Sequence, residues 1–488
     1  MSDNRLSRES GNPGAQDLDR SPICAGGLAE TPTGLSAPDN SLVSFGNLTN
    51  IEMVNFGTFN ISRCRIASIV SGSPGATITM QTPCWTNNYA WSQYFGCGIG
   101  ACRPAWIENA YEYMTGCGQG CWYHDETTNI LYYIPRAGEN MATVPVVTPR
   151  YAHLVTGSGV NGLTFQRITF AYTVDTDAST TQGCVGIQAG YSCAGTAPGN
   201  GCDGGSFAAT TTHHPLDSPV LFSSSSKNIT FDHNLFTHIG GRALFGQATT
   251  QNLIETANKF VDNAGGCTQW GDITDYTNTN PATQTSGWLF RNNYREAPFE
   301  YDSTWILVAY STGGVIDHNE FAGYAAATGY SALQTGWGWG PAYAGTASYQ
   351  GGTSVANNYI HADCGALPDC GGLYFNGDFS HGGYSASGNC TVNRLAPGGT
   401  GFYSDNGSSH GTWTGNVEDD KQSVYWAGCN FCSSVTFGPG NYHTKASTFD
   451  TDTTSFSGNT MFTSGSPPPG AVAIIDAAGI QSGVMPGP

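Results

Sequence analysis

Positive charge is scarce in this chain. Of its 488 residues only 17 are Lys or Arg, against 36 Asp and Glu, so the formal net charge is −19 at pH 7. Nucleic acids and anionic membrane surfaces are held by cationic patches, so neither is expected as a partner. A polyanionic substrate is disfavoured for the same reason, whereas a neutral sugar chain is compatible. Long apolar runs are also missing, and no stretch suits a bilayer crossing. Glu/Lys/Leu-rich helical stretches are absent and charged residues make up only 11%, which argues against a helical bundle. No cysteine pair is joined by a second pair at zinc-ribbon spacing, so neither a structural metal nor a cofactor is expected. The opening Met1 to Ser10 has no apolar core and does not read as a signal peptide.

What the chain does have is 66 Gly and 16 Cys. So many cysteines imply an oxidising compartment, with Cys97/Cys102, Cys117/Cys121, Cys364/Cys370 and Cys429/Cys432 as close pairs. Cys64 and Cys84 flank a plausible hairpin that they could staple. A secreted protein with a trimmed or mispredicted N-terminus is expected. Its oligomeric state is not legible.

One phrase recurs, a short β-type run closed by Asn. Asn228-Ile-Thr-Phe-Asp-His-Asn234 is the clearest copy, and others end at Asn258, Asn319 and Asn416. Steps of 24, 27 and 25 residues separate Asn234 from Asn258, Asn389 from Asn416 and Asn416 from Asn441. Longer gaps read as rungs carrying loops. A second phrase of small and aromatic residues is interleaved: Gly266 to Asp272, Trp305 to Tyr310, Ser331 to Gly336, Gly372 to Gly377 and Gly401 to Gly407. Such a repeat, with Gly at corners and no helical period, predicts an all-β solenoid of stacked coils, a parallel β-helix. Equivalent Asn side chains would form a ladder along one corner, satisfying backbone groups left free by the turn. His233 and His318 recur in phase with that ladder and read as corner residues, while His213-His214 reads as a loop pair.

The expected organisation is a disordered or mispredicted stretch over 1–40, a small β-rich subdomain over 41–156, the solenoid over 157–465 and a C-terminal cap over 466–488. Cys121 to Pro135 reads as a hairpin turning at Asp125 to Asn129. The Gly/Thr/Ser-rich insertion from Asp175 to Asp217, with Cys184, Cys193 and Cys202, reads as a disulfide-pinned loop on the solenoid. Ala471 to Ala478 reads as a short helix sealing the open end of the stack.

Four stretches carry a resemblance: Tyr123 to Arg136 with Gly138 to Met141; Asp317-His-Asn319 with Leu333 to Gly340; Asp369-Cys-Gly-Gly-Leu-Tyr374; and Tyr403-Ser-Asp-Asn-Gly-Ser-Ser409. Together they resemble secreted right-handed parallel β-helix proteins of the pectate-lyase-like superfamily, which include glycoside hydrolases of the β-xylosidase and α-fucosidase type. In hydrolases of this kind the last two motifs supply catalytic carboxylates, which nominates Asp405 and Asp369. The chain departs from the pattern twice. Cys370 stands where the pattern has Asp, leaving Asp369 one residue early, and Asn406 stands where it has Glu. Adjacent strand positions face opposite ways, so a one-residue slip can turn a carboxylate aside.

Glycoside hydrolysis asks for one protonated carboxyl and one ionised one, about 5–5.5 Å apart for retention and about 6.5–9.5 Å for inversion. Tyr374 and Tyr403, 29 residues apart, mark successive rungs. Asp405 has a competing reading as an Asx-turn before Asn406-Gly407, and Asp369 as a turn acid after Pro368. Asp378 is the third candidate, with Asp272, Asp302 and Glu320 as substitutes. Trp337, Trp339 and Tyr310 read either as a sugar-stacking platform or as packing between loops. Gln269, Gln334 and Asn376 fall at similar strand places and suit sugar hydroxyls, with an inner or turn role as the competing reading for Asn376. The expected function is an exported glycosidase acting on a plant or microbial polysaccharide. The alternatives are a polysaccharide lyase, for which only Lys259, Arg291 and Arg295 supply central cations, and a non-catalytic glycan-binding β-helix.

Overall fold

The protein was examined as a computed structural model that describes residues 16–17, 28–56, 60–95, 103–193, 213–297, 304–323, 331–337, 349–361, 364, 367, 369–393, 399–449 and 454–488. The chain divides into two compact units, one of residues 1–148 with 175–215 and one of 149–174 with 216–488.

The second unit is a parallel β-helix. Each coil gives one strand to each of three sheets, and the first and third sheets hold ten strands apiece. The first coil consists of Val155–Ser158, Asn161–Gln166 and Thr169–Thr173; the last consists of Thr448–Phe449, Thr454–Phe456 and Thr460–Met461. Pairing between coils is parallel and in register, so each inward position sits above its counterpart one coil below. Aromatic rings therefore stack at the strand spacing: Phe170 on Phe236 at 4.8 Å, Phe236 on Phe260 at 4.9 Å, Phe437 on Phe456 at 4.8 Å.

The expected Asn ladder lies at the corner between the second and third sheets. The backbone N–H and Nδ2 of Asn234 donate to Asn258 Oδ1 at 2.9 and 3.0 Å, and Nδ2 also donates to the Phe165 carbonyl at 3.0 Å. The pattern continues through Asn293, Asn319, Asn358, Asn389, Asn416 and Asn441 to Asn459. The residue before each Asn adopts a left-handed conformation, at φ 53° for His233 and 56° for His318, and Gly388 and Gly415 occupy it without steric cost. His233 and His318 are thus corner residues. The wide steps, 35 residues from Asn258 to Asn293 and 39 from Asn319 to Asn358, are the coils that carry insertions.

The inside of the stack is not wholly apolar. Glu255 on the second sheet aligns with Phe231 and Phe290, both core residues, and so points inward. It accepts a hydrogen bond from Thr268 at 2.8 Å, and burial pushes its carboxyl up to about 8. Arg295 aligns with Phe260 and Phe321, lies 3.9 Å over the Trp305 ring and donates to the Ala322 carbonyl at 3.0 Å. Burial pulls its guanidinium down to about 9.

Three elements differ from expectation. Within 1–40, the strands Ala29–Thr31 and Gly34–Ser36 pair with each other, and the second pairs with Ala76–Met80, so this part is ordered sheet. The helix Pro469–Ala477 does not close the end of the stack. Ala471 packs on Cys390, Val392 and Val417, with Tyr359 and Tyr442 beside them, so the helix lies along the outer flank of the third sheet. The chain then runs back past earlier corners, with Gly479 N–H on the Asn357 carbonyl, Gln481 paired with Asn292 and Gly487 N–H on the Ala257 carbonyl. An apolar strip on that flank gave the helix something to cover. The insertion after Asp175 is likewise no simple loop: Cys184–Gln188 pairs antiparallel with Ile61–Ser71, and Tyr191–Cys193 and His213–Pro215 extend the same sheet.

That sheet belongs to the first unit, which also contains Glu52–Phe56 and Arg103–Glu108. Arg63, buried in it, is held by Glu108 at 2.7 and 3.0 Å and by Glu52 at 3.5 Å, so the cation is compensated. The expected hairpin is Ile61–Ser71 with Ala76–Met80, and the Cys64–Cys84 disulfide ties its first strand to the start of the helix Cys84–Phe95. Trp122–Asp125 and Ile130–Tyr133 form the expected hairpin. Cys117–Cys121, Cys364–Cys370 and Cys429–Cys432 are also bonded, while Cys97 and Cys102 lie outside the described residues.

Candidate active site

The second repeated phrase forms the first sheet. Its strands Thr268–Trp270, Ile306–Val308, Leu333–Thr335, Gly371–Asn376 and Thr400–Asp405 pair in sequence. Leu333, Leu373, Phe375 and Phe402 join the core, so Gln334, Tyr374, Asn376, Tyr403 and Asp405 occupy the alternate, outward positions. Register aligns Gln334 with Tyr374 and then Tyr403, and Asn376 with Asp405.

Asp405 is 7% exposed and is engaged from neighbouring coils as well as by its own turn. The Tyr374 hydroxyl donates to Oδ2, Asn430 Nδ2 donates to Oδ1 at 2.7 Å, and Asn376 Nδ2 donates to the Tyr374 oxygen at 3.2 Å. The following turn is closed by backbone, with Ser408 N–H on the Asp405 carbonyl at 3.0 Å. Burial pushes the Asp405 carboxyl up. Tyr374, Asn430, the Asn406 N–H and the Tyr403 side chain oppose that by stabilising the anion.

Asp369 lies half-buried just ahead of its strand, in the short loop closed by Cys364–Cys370. Desolvation first, and the Asp405 charge second, push its carboxyl up to about 7. The one-residue offset therefore leaves Asp369 within electrostatic reach of Asp405, while Cys370, at the position the family pattern gives to Asp, is fully buried in the disulfide. Burial raises both carboxyls, and the hydrogen bonds to Asp405 favour its anion where Asp369 is pushed towards the acid; glycoside hydrolysis asks for one protonated and one ionised carboxyl.

Asp378 is not joined to this pair by any hydrogen bond among the described residues. It accepts from Ser380 N–H at 3.1 Å, Ser380 Oγ at 2.9 Å and the Ser409 hydroxyl, with His410 3.9 Å away. Asp272 likewise caps a turn at Thr274, and Glu320 lies on the third sheet 3.5 Å from His361. Asp302 and Trp339 lie outside the described residues. Trp337 and Tyr310 flank the first sheet and are buried, so neither offers an open ring face. Tyr403 keeps part of its surface open, edge-on to Tyr374 at 5.2 Å. Gln269 donates to the Gly271 carbonyl at 3.2 Å, and Gln334 and Asn376 are fully buried.

The central cations lie elsewhere. Arg295 points inward, Arg291 is paired with Asp317 on the second sheet at 2.7 and 2.8 Å, and Lys259 lies over Tyr294 on the third sheet.

A solved structure shares this fold. It is described as a glycoside hydrolase, and it matches with a TM-score of 0.70 at 22% sequence identity over 92% of this chain and 74% of its own. No protein-family model matches the sequence, and no curated protein matches it.

Tyr374 and Asn430 were not singled out from sequence. Tyr374 sat inside a motif, but its grip on Asp405 depends on register between coils. Asn430 follows Cys429 in the Cys429–Cys432 pair and reaches Asp405 only because its own coil stacks directly on that of Asp405.

Proposed function

We propose that the protein is an exported glycoside hydrolase acting on a plant or microbial polysaccharide, with Asp369 as the acid that protonates the leaving oxygen and Asp405 as the ionised partner. The observation that carries this reading is the pairing of the two carboxyls: the Asp405 charge adds to the burial that raises Asp369, while Tyr374 and Asn430 donate to Asp405 and favour its anion against its own burial. The fold shared with a glycoside hydrolase at a TM-score of 0.70 supports it, and the disulfides among the described residues fit an oxidising destination. Asn376, Gln334 and Gln269 would line the sugar path, with Tyr403 as a ring face. Tyr310 and Trp337 would wall it, and Asp378 would hold the adjoining turn.

A lyase needs a base and positive groups facing a uronate, and the placements of Arg291, Arg295 and Lys259 do not supply them. The test is release of reducing ends from arabinoxylan, galactan and fucosylated pectin fragments by the native protein and by Asp405→Asn. The expected result is turnover by the native protein and loss in the variant. Release of unsaturated, ultraviolet-absorbing products would favour the lyase, and binding without turnover in either form would favour a glycan-binding β-helix.

A further inference from the structure

Gln334 has no exposed surface, and neither its Oε1 nor its Nε2 has a hydrogen-bond partner among the described residues. Leaving a buried amide unpaired is costly, and native chains leave few that way. Two further groups share the condition: the Oδ1 of Asn376, on the same face one coil on, and the hydroxyl of Tyr310, just past the strand one coil back. Gln334 is the direct register neighbour of Tyr374, whose hydroxyl holds Asp405. Three uncharged groups on successive coils thus carry unpaired polar atoms, and one of them, Asn376, aligns directly with Asp405.

We propose that Gln334, with Asn376 and Tyr310, is a recognition site for an uncharged sugar, its carboxamide kept unpaired in the free protein so that it can take adjacent hydroxyls of the ligand. The proposal rests on the hydrolase reading only for the position of the cleft. A sugar hydroxyl both donates and accepts, so it satisfies the amide oxygen and the amide nitrogen of Gln334 alike. A uronate carboxylate only accepts. It would leave Gln334 Oε1 and Asn376 Oδ1 bare and would meet the charge of Asp405. Specificity for neutral sugars therefore follows from the groups left unpaired. Asp369 and Tyr403, one and two coils from Gln334, retain open surface through which a ligand would enter.

The test uses the full chain. Dissociation constants are measured by calorimetry for Asp405→Asn and for Asp405→Asn with Gln334→Leu, so that hydrolysis plays no part. The probes are hexasaccharides of xylan, galactan, arabinan, mannan and glucan, with hexagalacturonate as the charged comparison. The expected result is binding of at least one neutral hexasaccharide about tenfold or more tighter than hexagalacturonate, and about a tenfold or greater weakening by Gln334→Leu. Unliganded Gln334→Leu should melt no lower than its parent, because it removes an unpaired amide. Equal binding by the two forms, hexagalacturonate bound as tightly as every neutral probe, or no neutral probe bound would each overturn the proposal. A clearly lower melting temperature would also overturn it, since the amide would then serve the fold through a buried water. Neutral-sugar binding that depends on Gln334, in a native protein that cleaves none of the probes, would keep this inference and remove the hydrolase reading.

Discussion

Tyr374 donates its hydroxyl to Asp405 from the neighbouring coil, and Asn376 donates in turn to the Tyr374 oxygen. A hydrogen bond to a carboxylate favours the ionised form, so this chain works against the burial that pushes Asp405 up. Removing the donor should leave burial unopposed.

Tyr374→Phe is therefore expected to move the acidic limb of the kcat/KM profile to higher pH. A hydrogen bond to a charged group contributes about 1.5–3 kcal/mol, which corresponds to roughly one to two pH units. The folded protein should persist, since the ring remains. An unmoved acidic limb would show that Asp405 is not the ionised group of the reaction.

Glu255 makes stability depend on pH. Its carboxyl is raised from 4.5 to about 8 by burial in the stack. Below about pH 4.5 folded and unfolded forms both hold the proton; between there and about 8 only the folded form does, so stability falls as pH rises, by up to about 1.4 kcal/mol per unit. Glu255→Gln keeps the shape and removes the charge. Its melting temperature should match the native one near pH 4.5, exceed it increasingly up to about pH 8 and run parallel above. Parallel curves throughout would mean that Glu255 stays ionised inside.

Asn319 stands mid-ladder, donating to Asn358 Oδ1 and the Phe290 carbonyl at 2.9 Å each while its own Oδ1 accepts from Asn293. Asn319→Ala strands two buried backbone groups, the Asn293 N–H and the Phe290 carbonyl, and a cost of at least about 2–3 kcal/mol is expected in denaturant unfolding. Asn459→Ala, at the partly exposed last coil, should cost less. Equal costs would mean that the ladder does not draw its strength from burial.

The ladder was legible because a corner that strands backbone groups must repeat the same side chain on every coil, and Asn234, Asn258, Asn389 and Asn416 do so in plain sequence. Asp405 was legible from its motif, and its outward aim from alternation with the core residue Phe402. Asp369 was nominated from its motif too, but its placement was not legible, since that depends on the Cys364–Cys370 loop rather than on strand alternation. Asp378 looked equivalent until Ser380 and Ser409 were seen to engage it. The inward aim of Glu255 and Arg295 was hidden because polarity suggests an outer face, and only register with Phe290 and Phe321 shows otherwise. The C-terminal helix was read correctly as a helix, but the apolar flank beneath it is assembled from residues as far apart as Tyr359 and Tyr442.

The most direct test of the acid role given to Asp369 is the activity of Asp369→Asn on two glycosides of the same sugar, one with a sugar leaving group and one with an acidic nitrophenol. A phenol that departs without a proton does not need the acid. The variant should lose about 10²–10⁴-fold on the first substrate and far less on the second. An equal loss on both would contradict the assignment of Asp369 as the acid paired with Asp405.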